Sequence, residues 1–226
     1  SPKNRSEPCK EEGAERWPEK GEPDSVRPQI QIFAQSYRGD RVMILRSAPT
    51  SPFGRKVKIA AHLVGVMDQI KVVNADTLNA EDDLRQQNPL GKIPVLVMDD
   101  GESLYDSSVI VDYLDQRTPV AHLIPQDTKQ KFQVKRWESL ADGVCDAAVA
   151  VMLEQRRPAN LQDPNWVAKQ WTKVERGLKM LNDDLGENKF CVADTFSLAD
   201  IAVVCLLGYL DLRFGNKVKL SKNYPN

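Results

Sequence analysis

Ser51-Pro-Phe-Gly-Arg-Lys-Val opens the stretch whose reading decides the fold. It follows Val42-Met-Ile-Leu-Arg, a short apolar run that reads as a buried strand. Ser-Pro is a helix-start signal, with a hydroxyl at the cap and proline at the first helical position. Phe53, Val57, Ala60, Ala61 and Val64 then recur at helical spacing. Gln69-Ile-Lys-Val-Val reads as a second strand and Ala80 to Gln87 as a short irregular helix. Next comes Asn88-Pro-Leu-Gly-Lys-Ile-Pro-Val-Leu. Pro94-Val-Leu-Val-Met and Glu102-Ser-Leu-Tyr flank Asp99-Asp-Gly, a hairpin turn signal. Ser107 to Gln116 is predicted to be a helix capped by Ser107, with Val109, Ile110, Tyr113 and Leu114 turned inward. The predicted order over residues 42–117 is βαβαββα.

Beyond a Pro-bounded linker at 118–126, only helical pattern remains, over 127–226. Long helices are predicted from Asp127 to Arg156 and from Asn165 to Leu185, and a third from Ser197. At that third start Ser197 and Asp200 form a capping-box pattern, with Phe196 and Ile201 at the hydrophobic-staple positions. The expected architecture is therefore α/β followed by all-α. The chain stops at Asn223-Tyr-Pro-Asn.

The 226 residues suffice for one or two domains with a real core. A net charge of −1 gives no support for a nucleic-acid or membrane-surface partner. No apolar run approaches the roughly 20 residues needed to span a bilayer. Cys9, Cys145, Cys191 and Cys205 show no metal or redox spacing, and the last three are expected as buried thiols in apolar helices. That usage fits a reducing cytoplasm. With only His62 and His122, a histidine-based metal site is not expected. Residues 1–41 hold five of the fourteen prolines and few aliphatics. They read as a disordered or non-native extension, because they cannot bury enough apolar surface to offset ordering.

The three motifs, in this order, resemble the glutathione S-transferase superfamily, in the bacterial subgroup with a serine where other branches place tyrosine or cysteine. The resemblance runs from about Met43 to the C-terminus. It implies a thioredoxin-like domain over 42–117 followed by a helical-bundle domain, and Phe-Ser-Leu-Ala-Asp-Ile-Ala resembles the latter's helix-capping motif. Relatives typically continue into one more helix, so truncation at the C-terminus is expected.

In a thioredoxin-like domain the turn after the first strand leads into a helix N-terminus that favours an anion. Redox relatives carry Cys-x-x-Cys here; this chain has Ser51 and Gly54. What remains is a hydroxyl able to donate to a thiolate supplied by glutathione, unless Ser51 is simply a helix cap. Thr50 is the competing hydroxyl, and Arg55 could add positive potential. The magnitudes suffice. A thiol with a pKa of about 8.5 is only a few per cent ionised at neutral pH, and lowering it two units needs about 2.7 kcal/mol. One hydrogen bond to a charge supplies about 1.5 to 3 kcal/mol, and a helix end some tenths to one more.

Ile93-Pro94 resembles the cis-proline of thioredoxin-like folds. Cis geometry would leave the Ile93 backbone edge facing the site, to pair with the cysteinyl backbone of glutathione. Lys92 is placed for a terminal carboxylate of the tripeptide. Asp106 could accept from the γ-glutamyl ammonium, and Ser107, at a helix start, could receive its carboxylate. The plainer readings are a trans proline on an edge strand, a solvated lysine and an ordinary Asp-Ser-Ser cap. Across the cleft, Trp137, Leu140, Ala141, Val144, Cys145 and Ala148 form a stripe that serves either an electrophile pocket or core. Asp142 and Asp146 would be unusual if buried there. Together these residues imply a cytoplasmic, homodimeric glutathione transferase that attacks a small electrophile. A catalytically idle interaction module is the alternative, and a thiol reductase is disfavoured by the missing cysteine.

Overall fold

The computed structural model describes residues 42–118 and 122–226. The extension expected over 1–41 and part of the 118–126 linker lie outside these. Strands β1 (Met43–Ser47), β2 (Ile70–Asn74), β3 (Val95–Val97) and β4 (Ser103–Leu104) form one sheet in the order β2-β1-β3-β4. β1 and β2 are parallel, with Met43 opposite Ile70; β3 is antiparallel to both β1 and β4. Interleaved with them are helices α1 (Pro52–Leu63), α2 (Leu84–Gln87) and α3 (Ser107–Gln116). The predicted order βαβαββα holds.

Alternation along the strands decides which residues meet which helix. Leu45 and Leu96 turn to one face, where Val57, Ala60 and Ala61 of α1 and Ile110, Val111 and Leu114 of α3 cover them. Val95 turns to the other face and packs with Ala75 and Leu84. Arg46, opposite Val95, is also buried and reaches the α2 end: Nη2 donates to Asp82 Oδ1 at 2.7 Å and Nη1 to Gln87 Oε1 at 3.0 Å, with Asp83 a further partner. One prediction for α3 fails. Val109 is 45% exposed and Val111 is buried instead, because the helix turns Ile110, Val111 and Leu114 to the core.

The second half is α4 (Thr128–Gln155), α5 (Pro164–Leu185), α6 (Leu198–Phe214) and the short α7 (Leu220–Asn223). Asp127 caps α4 by accepting from the Gln130 N–H, and Asp163 caps α5 ahead of Pro164. The Ser197–Asp200 capping box at α6 is present in both directions. Phe196 does not lie buried over it: the ring is 41% exposed and meets Phe190 edge-on, while Ile201 is buried. Cys191 lies in a turn rather than a helix. α4 packs against α5 and α6, and α1 packs against α6, so one continuous core joins the two halves. Among the described residues no helix is long and apolar enough to cross a membrane.

Candidate active site

Strand direction brings the three sequence motifs to one end of the sheet. β1 ends at Ser47, and the chain turns through Ala48 to Ser51 at the start of α1. β3 runs the other way, so its first residue, Val95, lies opposite Arg46 near the β1 end. Ile93 and Pro94 therefore emerge beside that turn. β4 reverses again, with Leu104 opposite Leu96, and delivers Asp106 to the same edge. The helices α1 and α3 begin there, each with free N–H groups in its first turn.

Ser51 is the N-cap of α1, with Pro52 at the first helical position, and its Oγ accepts from the Gly54 N–H at 3.1 Å. A hydroxyl has one donor and two acceptor sites. Capping therefore uses an acceptor site and leaves the O–H proton for a ligand; the plain reading and the functional one are compatible. Gly54 is required by closeness: a Cβ there would fall 2.0 Å from Ser47 Oγ. At the position that would carry the second thiol of a Cys-x-x-Cys pair, a side chain would have to displace Ser47. Thr50 is exposed in the preceding turn, and Arg55 is exposed beside α6, its Nη1 3.5 Å from where a Gly208 Cβ would stand.

The Ile93–Pro94 peptide is cis, and Ile93 stands outside the β1–β3 ladder. The loop before it is organised by Asn88, a buried residue the sequence did not single out. Its Nδ2 donates to the Lys92 carbonyl at 2.9 Å and its Oδ1 accepts from the Leu90 N–H at 3.0 Å, around Gly91 at φ +58°. Lys92 is exposed at the end of this loop.

At α3 the cap is Asp106, not Ser107. Its Oδ1 accepts from the Ser108 N–H at 3.0 Å and from Ser108 Oγ at 2.9 Å, while Ser107 is the first helical residue and is buried. The turn out of β4 puts Asp106 at the cap position, where its side chain bends back to its own helix start. The Tyr105–Asp106 peptide is cis as well, which no residue type announced. Burial would raise the Asp106 carboxyl, but the Ser108 hydroxyl and N–H and the field of Lys56 hold it below the ordinary carboxylate range.

Lys56, which the sequence reading passed over, is 1% exposed. Its Nζ donates to Glu138 Oε1 at 2.8 Å and to Asp142 Oδ2 at 2.5 Å, both on α4. Burial alone would lower the Lys56 pKa, but Asp142 and Glu138 raise it above its ordinary value. Asp142 fares differently. Burial pushes its carboxyl up, Glu138 and Asp106 repel its charge, and the shared ammonium of Lys56 does not fully compensate. Asp146, one turn further on α4, is exposed and is also raised, by burial first and then by Asp106, against an opposing pull from Lys92.

The α4 stripe turns out to be core. Trp137, Ala141, Val144, Cys145 and Ala148 are buried, and Leu140 is partly so. Burial pushes the Cys145 thiol far up, Cys191 up to about 12 and Cys205 up to about 11, so none of the three is a reactive thiolate. Among the described residues no group of three or more His, Cys, Asp or Glu is arranged to hold a metal ion.

Two glutathione S-transferase domain families match this chain: the N-terminal domain over residues 50–117 and the C-terminal domain over 164–226. An uncharacterized GST-like protein of Escherichia coli K12, YibF, is 36% identical over 171 residues, which are 76% of this chain and 83% of that one. A crystal structure of a glutathione S-transferase from Methylobacillus flagellatus KT with GSH bound is 52% identical, with a TM-score of 0.77, over 81% of this chain and 89% of that one. Another, from Methylobacterium radiotolerans in complex with glutathione sulfonate, is 35% identical at TM-score 0.77, over 81% and 85%. The fold, the paired domains and these relatives agree, and this chain belongs to the glutathione S-transferase family.

Proposed function

We propose that this protein is a glutathione transferase in which Ser51 stabilises the glutathione thiolate for attack on a small electrophile. The observation that carries the reading is the Ser51 hydroxyl: it caps α1 through an acceptor site, and its proton stays available at a helix start. A thiolate placed there meets a donor and a helix N-terminus, and no general base is needed to hold it ionised. The Ile93 edge, beside the cis Pro94, pairs with the cysteinyl backbone, and Lys92 meets a glycyl carboxylate. Asp106 keeps its charge for the γ-glutamyl ammonium, while Ser107 and the first α3 turn receive the neighbouring carboxylate. Structural relatives crystallised with glutathione support glutathione as the ligand. No metal has a part in the reaction as proposed.

A homodimer built across the two domain types belongs to the same reading. Exposed apolar Val109 on α3 and Phe132 on α4, one in each half, support it. A cytoplasmic setting is supported by the three cysteines among the described residues, all of them free thiols. Calorimetry with glutathione at millimolar concentration tests the central step. Saturable binding with turnover of an electrophile is the expected result; a folded protein that binds no glutathione would instead favour the idle interaction module.

A further inference from the structure

A chain of alternating charges joins the two helices assigned above to glutathione, and none of its bonds is needed for ligand contact. It starts on α1 about one and a half turns beyond Ser51. There Lys56 Nζ lies between Glu138 Oε1, at 2.8 Å, and Asp142 Oδ2. Glu138 is 2% exposed and uses its second oxygen for Lys135, whose Nζ lies 2.6 Å from Oε2. Lys135 continues to Asp112 Oδ1 at 2.7 Å, and Asp112 belongs to α3, the helix that Asp106 caps. The path is thus α1 to α4 to α3, through side chains of alternating sign.

Apolar contact alone would have been the cheaper way to hold α1 on the helical half. Taking two charges out of water costs several kcal/mol per ion, and well-packed apolar side chains of like volume are often as stabilising. What the ions add is a fixed register, because a shift of α1 against α4 that parts a buried charge from its partner leaves that charge uncompensated. The field of Lys56 also reaches the Asp106 carboxylate.

We propose that Lys56 and Glu138 are positioning residues for the glutathione site, setting the first turns of α1 and α3 relative to each other through the helical domain. The proposal rests on the glutathione reading above. It makes the second domain part of the tripeptide site, not only the wall for an electrophile. A change on α4 would then be felt at Ser51 and Asp106 without touching the ligand.

The test is the double variant Lys56→Met/Glu138→Leu, which replaces the buried pair by apolar groups of similar volume and should keep the fold. Amide hydrogen exchange is read in the ligand-free protein at the Gly54 N–H, bonded to Ser51, and at the Ser108 N–H, bonded to Asp106. Glutathione affinity is measured in parallel. The expected result is a melting temperature close to the parent's, exchange at both amides faster by about fivefold or more, and affinity weaker by a similar factor. A folded variant in which either quantity is unchanged overturns the proposal. Should the double variant not fold, Asp112→Asn at the 41% exposed end of the chain decides: exchange at Ser108 must quicken by about twofold or more, and parental exchange overturns the idea. If the parent itself binds no glutathione, the functional reading has failed, and exchange alone still decides the positioning.

Discussion

Lys56 Nζ and Glu138 Oε1 lie 2.8 Å apart with side chains 1% and 2% exposed, one on the helix that begins at Ser51 and the other on the first long helix of the second half. A buried pair of this kind is unforgiving when only one partner goes. Lys56→Met alone leaves the buried Glu138 without its α1 partner, while Asp142, with a side chain 24% exposed, still reaches solvent. The expected cost is about 3 to 5 kcal/mol, or roughly 6 to 20 °C in Tm for a chain of this size. Lys56→Met/Glu138→Leu should recover most of it. Thermal denaturation of both variants checks this; equal losses would show that packing, not charge, dominates there.

Stability at alkaline pH should carry the same signature. Lys56 and Lys135 both have pKa values raised above the ordinary lysine value by their carboxylate partners. A raised lysine adds stability that is fully present below about 10.5 and is lost as pH rises through the folded-state value. Denaturant unfolding of the parent should therefore weaken above about pH 10.5 more steeply than that of Lys56→Met/Glu138→Leu. Parallel curves for the two proteins would refute the linkage.

Ser51→Ala separates binding from chemistry. Glutathione affinity should stay within a few-fold, while the bound thiol titrates about one to two pH units higher, as expected for one lost hydrogen bond to a charge. Transfer rate near neutrality should fall about tenfold or more. The thiolate absorbance of the complex, followed against pH, reads this directly. If both pKa and rate stay at the parent's values, Ser51 is only a cap.

Asp106→Ala and Lys92→Ala should act on affinity. In the proposed complex each substitution removes the protein charge that faces one end of the tripeptide, and a hydrogen bond to a charged group is worth about 1.5 to 3 kcal/mol. Glutathione dissociation constants should rise about tenfold or more in calorimetry. Asp106→Ala also removes the α3 cap, so its Tm should fall where that of Lys92→Ala does not. Unchanged affinity in both would take these residues out of the site.

Gly54→Ala tests the closeness of α1 to the end of β1. A new Cβ would sit 2.0 Å from Ser47 Oγ and 3.2 Å from Ser47 Cβ. Forcing a methyl group into a packed site costs about 1 to 3 kcal/mol. Ser47→Ala/Gly54→Ala should be less destabilised than Gly54→Ala alone, because the closer clash is with the oxygen. Additive losses in chemical denaturation would contradict that geometry.

Elements with strong local signals were legible before any coordinates. The β1 run and the helical spacing after Ser51 gave the first unit, Asp99-Asp-Gly the hairpin, and Ser197 to Asp200 the α6 start. The site motifs were legible as helix starts for the same reason: capping is written in adjacent residues. Signals failed where a neighbour elsewhere in the chain decides. Val109 and Val111 are the same residue type two positions apart, and only the packing of α3 on α1 buries the second. Asp106 and Ser107 both suit a cap, and the turn out of β4 selects the first.

By itself, then, the sequence determined the order of strands and helices and the caps at Ser51 and Ser197. These follow from periodicity and from chemistry between residues a few positions apart, whereas the reading of Ser51 and Gly54 as standing in place of a dithiol came from the family resemblance. Tertiary structure alone decided that Lys56 is buried rather than solvated like its neighbour Arg55, since its partners Glu138 and Asp142 stand 82 and 86 residues away. It also decided that the Trp137 to Ala148 stripe is core, and that the starts of α1, β3 and α3 share one end of the sheet. The physical reason is that a side chain's own type sets what burial would cost it, while long-range packing sets whether a partner is there to offset that cost.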